Sequence, residues 1–254
     1  MTFDLTEYGS CRVVAVILAR NEERTIRDII ERATRFVHEV VIMDGRSNDD
    51  TATIAKEAGA TVHADEGKGK GAAVRQALEL VEADVVVFMD ADGSHDPADI
   101  PRLALPVVGG ETDLCVGSRF AGGSDELSVG FGQLIRSNGN ILLNIAINKR
   151  WNVSLSDTLN GFRAIRRQAA LSVGLKEKRH TIEQEIVMKM LRHGYKVMNV
   201  PSHEYERKYG SSHINIWKEW PMFVWCVVTN IARKNAPRNF KRVAQLSYLN
   251  AKNS

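Results

Sequence analysis

The sequence predicts an α/β fold, a mostly parallel sheet flanked by helices, on three observations. Apolar runs such as Val85-Val86-Val87-Phe88-Met89 are continuous rather than alternating, which is the pattern of strands buried on both faces. Segments of helical spacing separate these runs, so the opening reads strand, helix, strand, helix, strand. The runs end in polar turns rich in Asp and Gly, and ligands in open α/β sheets sit just past the carboxyl ends of the strands.

Arg12 to Leu18 is a β-branched run and a good buried strand. Ile26, Ile29, Ile30 and Ala33 place a helix over Glu23 to Arg35. Val40 to Met43 is a second strand, ending in Asp44-Gly45-Arg46-Ser47-Asn48-Asp49-Asp50-Thr51, a turn that supplies its own helix cap. That helix stops at Gly59, and a short strand follows over Ala60 to His63. Gly67-Lys68-Gly69-Lys70-Gly71 then opens a helix to Glu82, and such a loop can offer backbone N–H groups and ammonium charge to an anion. Its spacing matches neither the dinucleotide nor the P-loop fingerprint, and a solvated turn explains it equally well.

The strand over Val85 to Met89 leads into Asp90-Ala91-Asp92-Gly93-Ser94. Two hard oxygen ligands at that place suit a Mg²⁺ or Mn²⁺ that also holds a diphosphate, although Asp-x-Asp is also an ordinary turn sequence. A helix near Asp99 to Leu105 and a strand over Thr112 to Val116 follow, the latter ending in Gly117-Ser118-Arg119. Gln133 to Lys149 reads as a long helix carrying Arg136, Ser137, Asn140 and Asn144 among apolar positions. Ser156 to Arg163 is a polar loop entering a strand, Thr181 to Arg192 a helix, Lys196 to Val200 a strand, and Glu206 to His213 a basic loop.

Ile214 to Ile231 is apolar at helical spacing through Ile216, Trp217, Trp220, Val224, Val227, Val228 and Ile231. The segment between Glu219 and Arg233 is too short for a span, which needs about 20 residues. It reads either as a core-packing helix or as an interfacial helix whose basic follow-on meets anionic lipid, a membrane contact through 214–242.

With 44% hydrophobic and 26% charged residues the chain is not disordered, and a net charge of +3 does not suggest nucleic acid. Cys11, Cys115 and Cys226 are odd in number and far apart, which reads as reduced thiols in a cytoplasmic setting. Met1 to Ser10 has two acids and no apolar stretch, unlike a secretory signal.

Taken together, the motifs resemble the family-two inverting glycosyltransferases of the Rossmann-like GT-A fold, nearest to the dolichol-phosphate or polyprenyl-phosphate mannosyl- and glucosyltransferases. The carriers are Asn21-Glu22, the Asp44 to Thr51 turn, the Gly67 to Ala73 loop, Asp90 to Pro97, Gly117 to Phe120, Arg136 with Ser137 and Asn140, Asp157 with Gly161-Phe162-Arg163, and Arg207 to Ser212. The resemblance implies a catalytic domain over 1–213 and a C-terminal amphipathic helix with basic tail over 214–254. It implies a nucleotide-sugar donor, GDP- or UDP-linked, with Glu22 and Asp44 near the nucleobase and Lys70 beside the nucleotide. Asp90 would meet ribose or metal, Asp92 the metal, and Arg207 the donor diphosphate or sugar. In the lipid branch Arg119, Arg136 and Ser137 would hold the acceptor phosphate.

A phosphate acceptor needs no general base, whereas a small hydroxyl acceptor would, with Asp157 the nominee. A non-catalytic nucleotide-sugar-binding partner is the third reading. Departures from the family pattern are Ser94 in place of a longer Gln, Gly45-Arg46 in place of Asp-Gly, and His213 in place of Lys. Oligomeric state stays open, and the cysteines with the amphipathic C-terminal helix give the expectation of a cytoplasmic location, peripheral at the membrane face.

Overall fold

The structure is a computed structural model describing residues 3–125, 131–207, 209 and 216–235, with the side chains of 131–138 and 216–219 outside that description. Val13–Ala19 (β1), Glu39–Asp44 (β2), Thr61–Ala64 (β3) and Val85–Asp90 (β4) alternate with helices Ile26–Ala33 (α1), Thr51–Glu57 (α2) and Lys70–Leu80 (α3). Ile100–Val108 (α4), Leu114–Ser118 (β5), the single turn Arg119–Gly122 (α5) and the long Phe131–Trp151 (α6) come next. Arg163–Arg166 (β6), Arg167–Ser172 (α7), Ile182–Arg192 (α8), Val197–Pro201 (β7) and Ile216–Ile231 (α9) complete the described chain.

The strands form one seven-stranded sheet in the order β3-β2-β1-β4-β6-β5-β7. All neighbours pair parallel except β6, which runs antiparallel to both β4 and β5. The continuous apolar runs have the expected cause. Val14, Val16, Val86 and Phe88 are buried on one face against α3, α6, α8 and α9, while Val13, Ala15, Ile17, Val85, Val87 and Met89 are buried on the other against α1 and α4.

Chain direction positions the site. The order reverses between β1 and β4, so their carboxyl ends open a crevice at the switch point. Because β6 is antiparallel, with Phe88 opposite Arg163, its amino end lies at the carboxyl end of β4. The polar loop before β6 therefore arrives at the same edge as the turns after β1, β2, β4, β5 and β7. A parallel β6 would have delivered that loop to the opposite edge.

Two local expectations are corrected. The helix expected from Glu23 starts at Ile26, after the Glu22 carbonyl has accepted the Thr25 and Ile26 N–H groups in a turn. Asp50 stands at the N-cap of α2 but makes no side-chain cap; Asp49 instead accepts the N–H and O–H of Thr51.

The glycine-lysine loop is also placed differently from an open anion cradle. The Gly71 and Ala72 N–H groups at the start of α3 both donate to the Lys178 carbonyl, at 2.9 and 3.3 Å. That carbonyl belongs to a loop held by Glu185, which accepts the N–H groups of Lys176 and Glu177 and pairs with buried Lys189 at 2.7 Å. A β-carbon at Gly71 would lie 2.5 Å from the Glu177 carbonyl oxygen. In a free helix Gly→Ala would stabilise by about 1 kcal/mol. Here Gly71→Ala should instead destabilise by about 1–3 kcal/mol, the range for overpacking against unyielding backbone. Urea unfolding of the variant checks the sign.

Candidate functional site

The crevice at the β1/β4 edge is a cleft of about 650 Å³. Its walls come from the turn after β1 (Arg20, Asn21, Glu22), the glycine loop with Lys70, and the β4 end with Asp90 and Asp92. Arg119, Glu183, Glu204 and Arg207 come from the second half of the chain.

Lys70 sits at the bottom of this group. Its ammonium lies 2.8 Å from Asp90 Oδ1 and 2.9 Å from Glu183 Oε1. Burial by itself would lower the lysine pKa and raise that of Asp90. Pairing overrides both, so Lys70 is raised and Asp90 is brought down to about 2. The second oxygen of Glu183, Oε2, is buried with no hydrogen-bond partner among the described residues. Gly161 closes the group from the β6 side; a β-carbon there would lie 2.9 Å from Asp90 Oδ2.

Asp92 lies next to this group and is also buried. Ser94 donates to Asp92 Oδ1 through its N–H at 3.0 Å and its hydroxyl at 2.6 Å, and Arg207 Nη2 lies 3.2 Å from Oδ2. Ser94 thus holds the carboxylate that a longer Gln would stand beside. Glu22 is near enough to feel the Asp92 charge. Burial first, and that charge second, push its carboxyl up to about 7 against the opposing pull of Arg207.

Among the described residues, no three His, Cys, Asp or Glu side chains gather into a self-sufficient metal cluster. Mg²⁺ is commonly held by one or two carboxylates, phosphate oxygens and water rather than by an all-protein cage. The donor set fits that arrangement through Asp92, with a diphosphate supplying further oxygens. Asp90, expected to share the ion, has both carboxylate oxygens turned to Lys70.

Asp44, expected near the nucleobase, is buried, and it accepts the Ser47 hydroxyl at 2.6 Å and the Ser47 N–H. Its neighbours Met43 and Gly45 line the cleft. Asp157 is not among the cleft-lining residues and is 1% exposed. Arg119 Nε and Nη2 grip its two oxygens at 2.7 and 3.1 Å, and the Leu159 N–H donates to Oδ1. Burial alone would raise its pKa; the Arg119 charge and these hydrogen bonds hold it below the ordinary carboxylate value. This placement leaves Asp157 unsuited to take a proton from a substrate in the cleft. Arg119 faces the cleft, with Nη1 3.5 Å from Glu204 Oε2. The side chains of Arg136 and Ser137 on α6, and His213, lie outside the described residues.

Sequence reasoning missed Glu183 and Glu204. Glu183 had no local mark, being one of two acids in the first turn of α8. Glu204 sits in a loop whose bridges to His95 and Ser124 form only in the fold.

The buried pair generates a prediction. Asp157→Asn leaves the Arg119 guanidinium with only the more distant Glu204 carboxylate at 3.5 Å, and breaking a buried pair costs about 3–5 kcal/mol. The folded-state pKa of Asp157 is depressed, so its stabilisation is full above the unfolded value of about 3.9 and is lost as pH falls through the folded value. Urea titrations across pH should show a large deficit in the variant at pH 7 that narrows below pH of about 4.

The profile described as Glycosyl transferase family 2 matches residues 14–174. The chain is 34% identical over 194 residues to glycosyltransferase AglJ of Haloferax volcanii, covering 75% of this chain but only 62% of that protein. It is 30% identical over 200 residues to a dolichyl-phosphate hexose transferase of the same organism, covering 78% of this chain and 84% of the relative. The fold is similar to that of glucosyl-3-phosphoglycerate synthase from Mycobacterium tuberculosis, solved with Mn²⁺, UDP and phosphoglyceric acid. That likeness has a TM-score of 0.70 at 20% identity and covers 91% of this chain and 82% of the other.

Proposed function

The chain belongs to glycosyl transferase family 2, and from that membership we infer that it moves a hexose from a nucleotide-sugar to a polyprenyl phosphate, with inversion. Residues 1–213 would form the catalytic domain and 214–254 a helix and basic tail. The observation that carries the acceptor is the Arg119–Asp157 pair. The carboxylate nominated as base for a hydroxyl acceptor is locked behind the cleft, while the cation that holds it lines the cleft wall. A phosphate acceptor is already ionised at neutral pH and needs no base, and a planar guanidinium suits its oxygens. The dolichyl-phosphate hexose transferase relative supports the same choice.

The difficult event is departure of the nucleoside diphosphate from the anomeric carbon. Arg207, 3.2 Å from Asp92, would meet the negative charge that builds on the leaving phosphate. Asp92 would hold Mg²⁺ or Mn²⁺ together with the diphosphate, and Ser94 fixes the carboxylate that does so. When bound, such an ion supplies Lewis-acid stabilisation to the leaving group. Lys70 keeps Asp90 ionised and oriented at the cleft floor for the ribose. Arg119 would meet the acceptor phosphate, with the side chain of Arg136 as its expected companion.

A small hydroxyl acceptor is the second reading. Glu22 favours it, as a half-buried cleft carboxyl whose pKa burial raises and which could serve as the base. The two readings separate in one assay. Labelled GDP- and UDP-hexoses are offered with a short polyprenyl phosphate or with phosphoglyceric acid, and product is expected only with the lipid phosphate. Product only with the small acid would overturn the proposal.

Asp92→Asn should fold normally yet lose activity by roughly 10²-fold or more, the scale of a transition-state electrostatic group. EDTA should abolish activity, and added Mn²⁺ or Mg²⁺ should restore it. Full turnover in EDTA would remove the metal from the mechanism.

A further inference from the structure

We propose that α6 and α9 together form a docking face for the headgroup region of an anionic bilayer. The pair is built in register. Gly139 lies against the Trp220 ring, and eleven residues later in each helix (139 to 150, 220 to 231) Arg150 Nε donates to the Ile231 carbonyl at 3.2 Å. The helices therefore run side by side in the same direction. Both rest on α8, and Leu143 and Ile147 of α6 join Cys226 and Val227 of α9 and the α8 side chains in one core cluster.

The opposite side of the pair is apolar and exposed. α6 presents Ile141, Leu142 and Ile145, and α9 presents Val224, Trp225 and Val228, the same i, i+1, i+4 pattern on each. In the parallel register the two triplets differ in height by two residues, about 3 Å at 1.5 Å per residue. Leu142 is 66% exposed and Trp225 is 70% exposed. Large side chains clustered this way on two adjoining helices mark an interaction surface.

Charge selects the occupant. No acid occurs between Glu126 and Asp157, and none after Glu219. Lys149 and Arg150 end α6, and exposed Arg233 and Lys234 follow α9, so the parallel register puts four cations at one end of the face. A second copy of this chain would bring the same cations and the same lack of acids, and like charges repel. Anionic headgroups complement both the apolar stripe and its basic end. Among the described residues no helix is long and apolar enough to cross a membrane, so the fit is one of lying on the surface. Asn140, Trp220 and Phe223 of the same helices line the cleft, so docking sets the cleft beside the bilayer. The face stands on the helix pair and not on the acceptor, so the two readings fail separately.

The test is cosedimentation of the full chain with vesicles of phosphatidylcholine mixed with phosphatidylglycerol, against pure phosphatidylcholine, with no nucleotide-sugar or polyprenyl phosphate present. The chain should bind the anionic vesicles and lose binding as salt rises. Leu142→Gln with Trp225→Gln should weaken vesicle affinity by roughly tenfold or more, since each takes an exposed apolar group away from the bilayer contact. Arg233→Gln with Lys234→Gln should weaken it by a similar factor through charge alone. Unchanged thermal unfolding and unchanged turnover on detergent-dispersed acceptor would confirm that both variants are intact. Absence of binding by the parent chain, or equal binding by the double variants, overturns the proposal. So does light scattering that finds a dimer in the parent and a monomer in Leu142→Gln/Trp225→Gln while vesicle binding stays the same. Vesicle binding without use of a lipid acceptor would overturn the acceptor alone.

Discussion

The Lys70 ammonium between Asp90 and Glu183 ties three distant pieces of chain to one edge of the sheet: the start of α3, the end of β4 and the first turn of α8. Taking such charges out of water costs several kcal/mol per ion, and mutual pairing is what offsets it. Without the ammonium, two carboxylates would face each other in a floor only partly open to water, and the charge on each would disfavour the charge on the other. The close approach of Gly161 depends on the same group, because a side chain there would displace either Asp90 or Lys70. The floor of the cleft is thus an electrostatic arrangement before it is a binding surface.

A second set of buried charges holds the loops around that floor. Arg163, wholly buried on β6, donates to the carbonyls of Asn160 and Glu183, joining the loop before β6 to α8. Glu185 and Lys189 hold the loop whose Lys178 carbonyl caps α3. Arg119 and Asp157 join the end of β5 to the loop before β6. The Arg163 and Arg119 contacts span different elements, and the Glu185–Lys189 pair within α8 reaches the loop through the Lys176 and Glu177 N–H groups, so the loops are positioned by polar contacts on top of the apolar core. Such fixing matters for a site whose groups must be aimed before substrate arrives.

The α6–α9 pair shows how packing divides one apolar helix between the core and the surface. Cys226 and Val227 enter the core while their neighbours Trp225 and Val228 face outward. The core-packing reading holds for the side of this helix that rests on α8, and the interfacial reading is a proposal for the exposed side.

Much of the fold was legible in the sequence because its causes are local. Continuous Val and Ile runs can be satisfied only by strands covered on both faces, and β1, β2 and β4 lie within a residue or so of where those runs place them. The Asp90-Ala91-Asp92-Gly93 turn is a local consequence of a strand ending in polar residues, so its place along the cleft could be read from the chain alone. What the sequence could not decide was the outcome of competition between distant groups. The two apolar residues Ala164-Ile165 carry no direction, and β6 runs antiparallel only because of what it pairs with. Lys70 looked equally ready for an anion or for solvent until Glu183 and Asp90 claimed it. Asp157 looked like a base until Arg119 was found on both its oxygens. A side chain's type fixes which partners it can take, but which partner it gets is set by distances that only the folded chain defines.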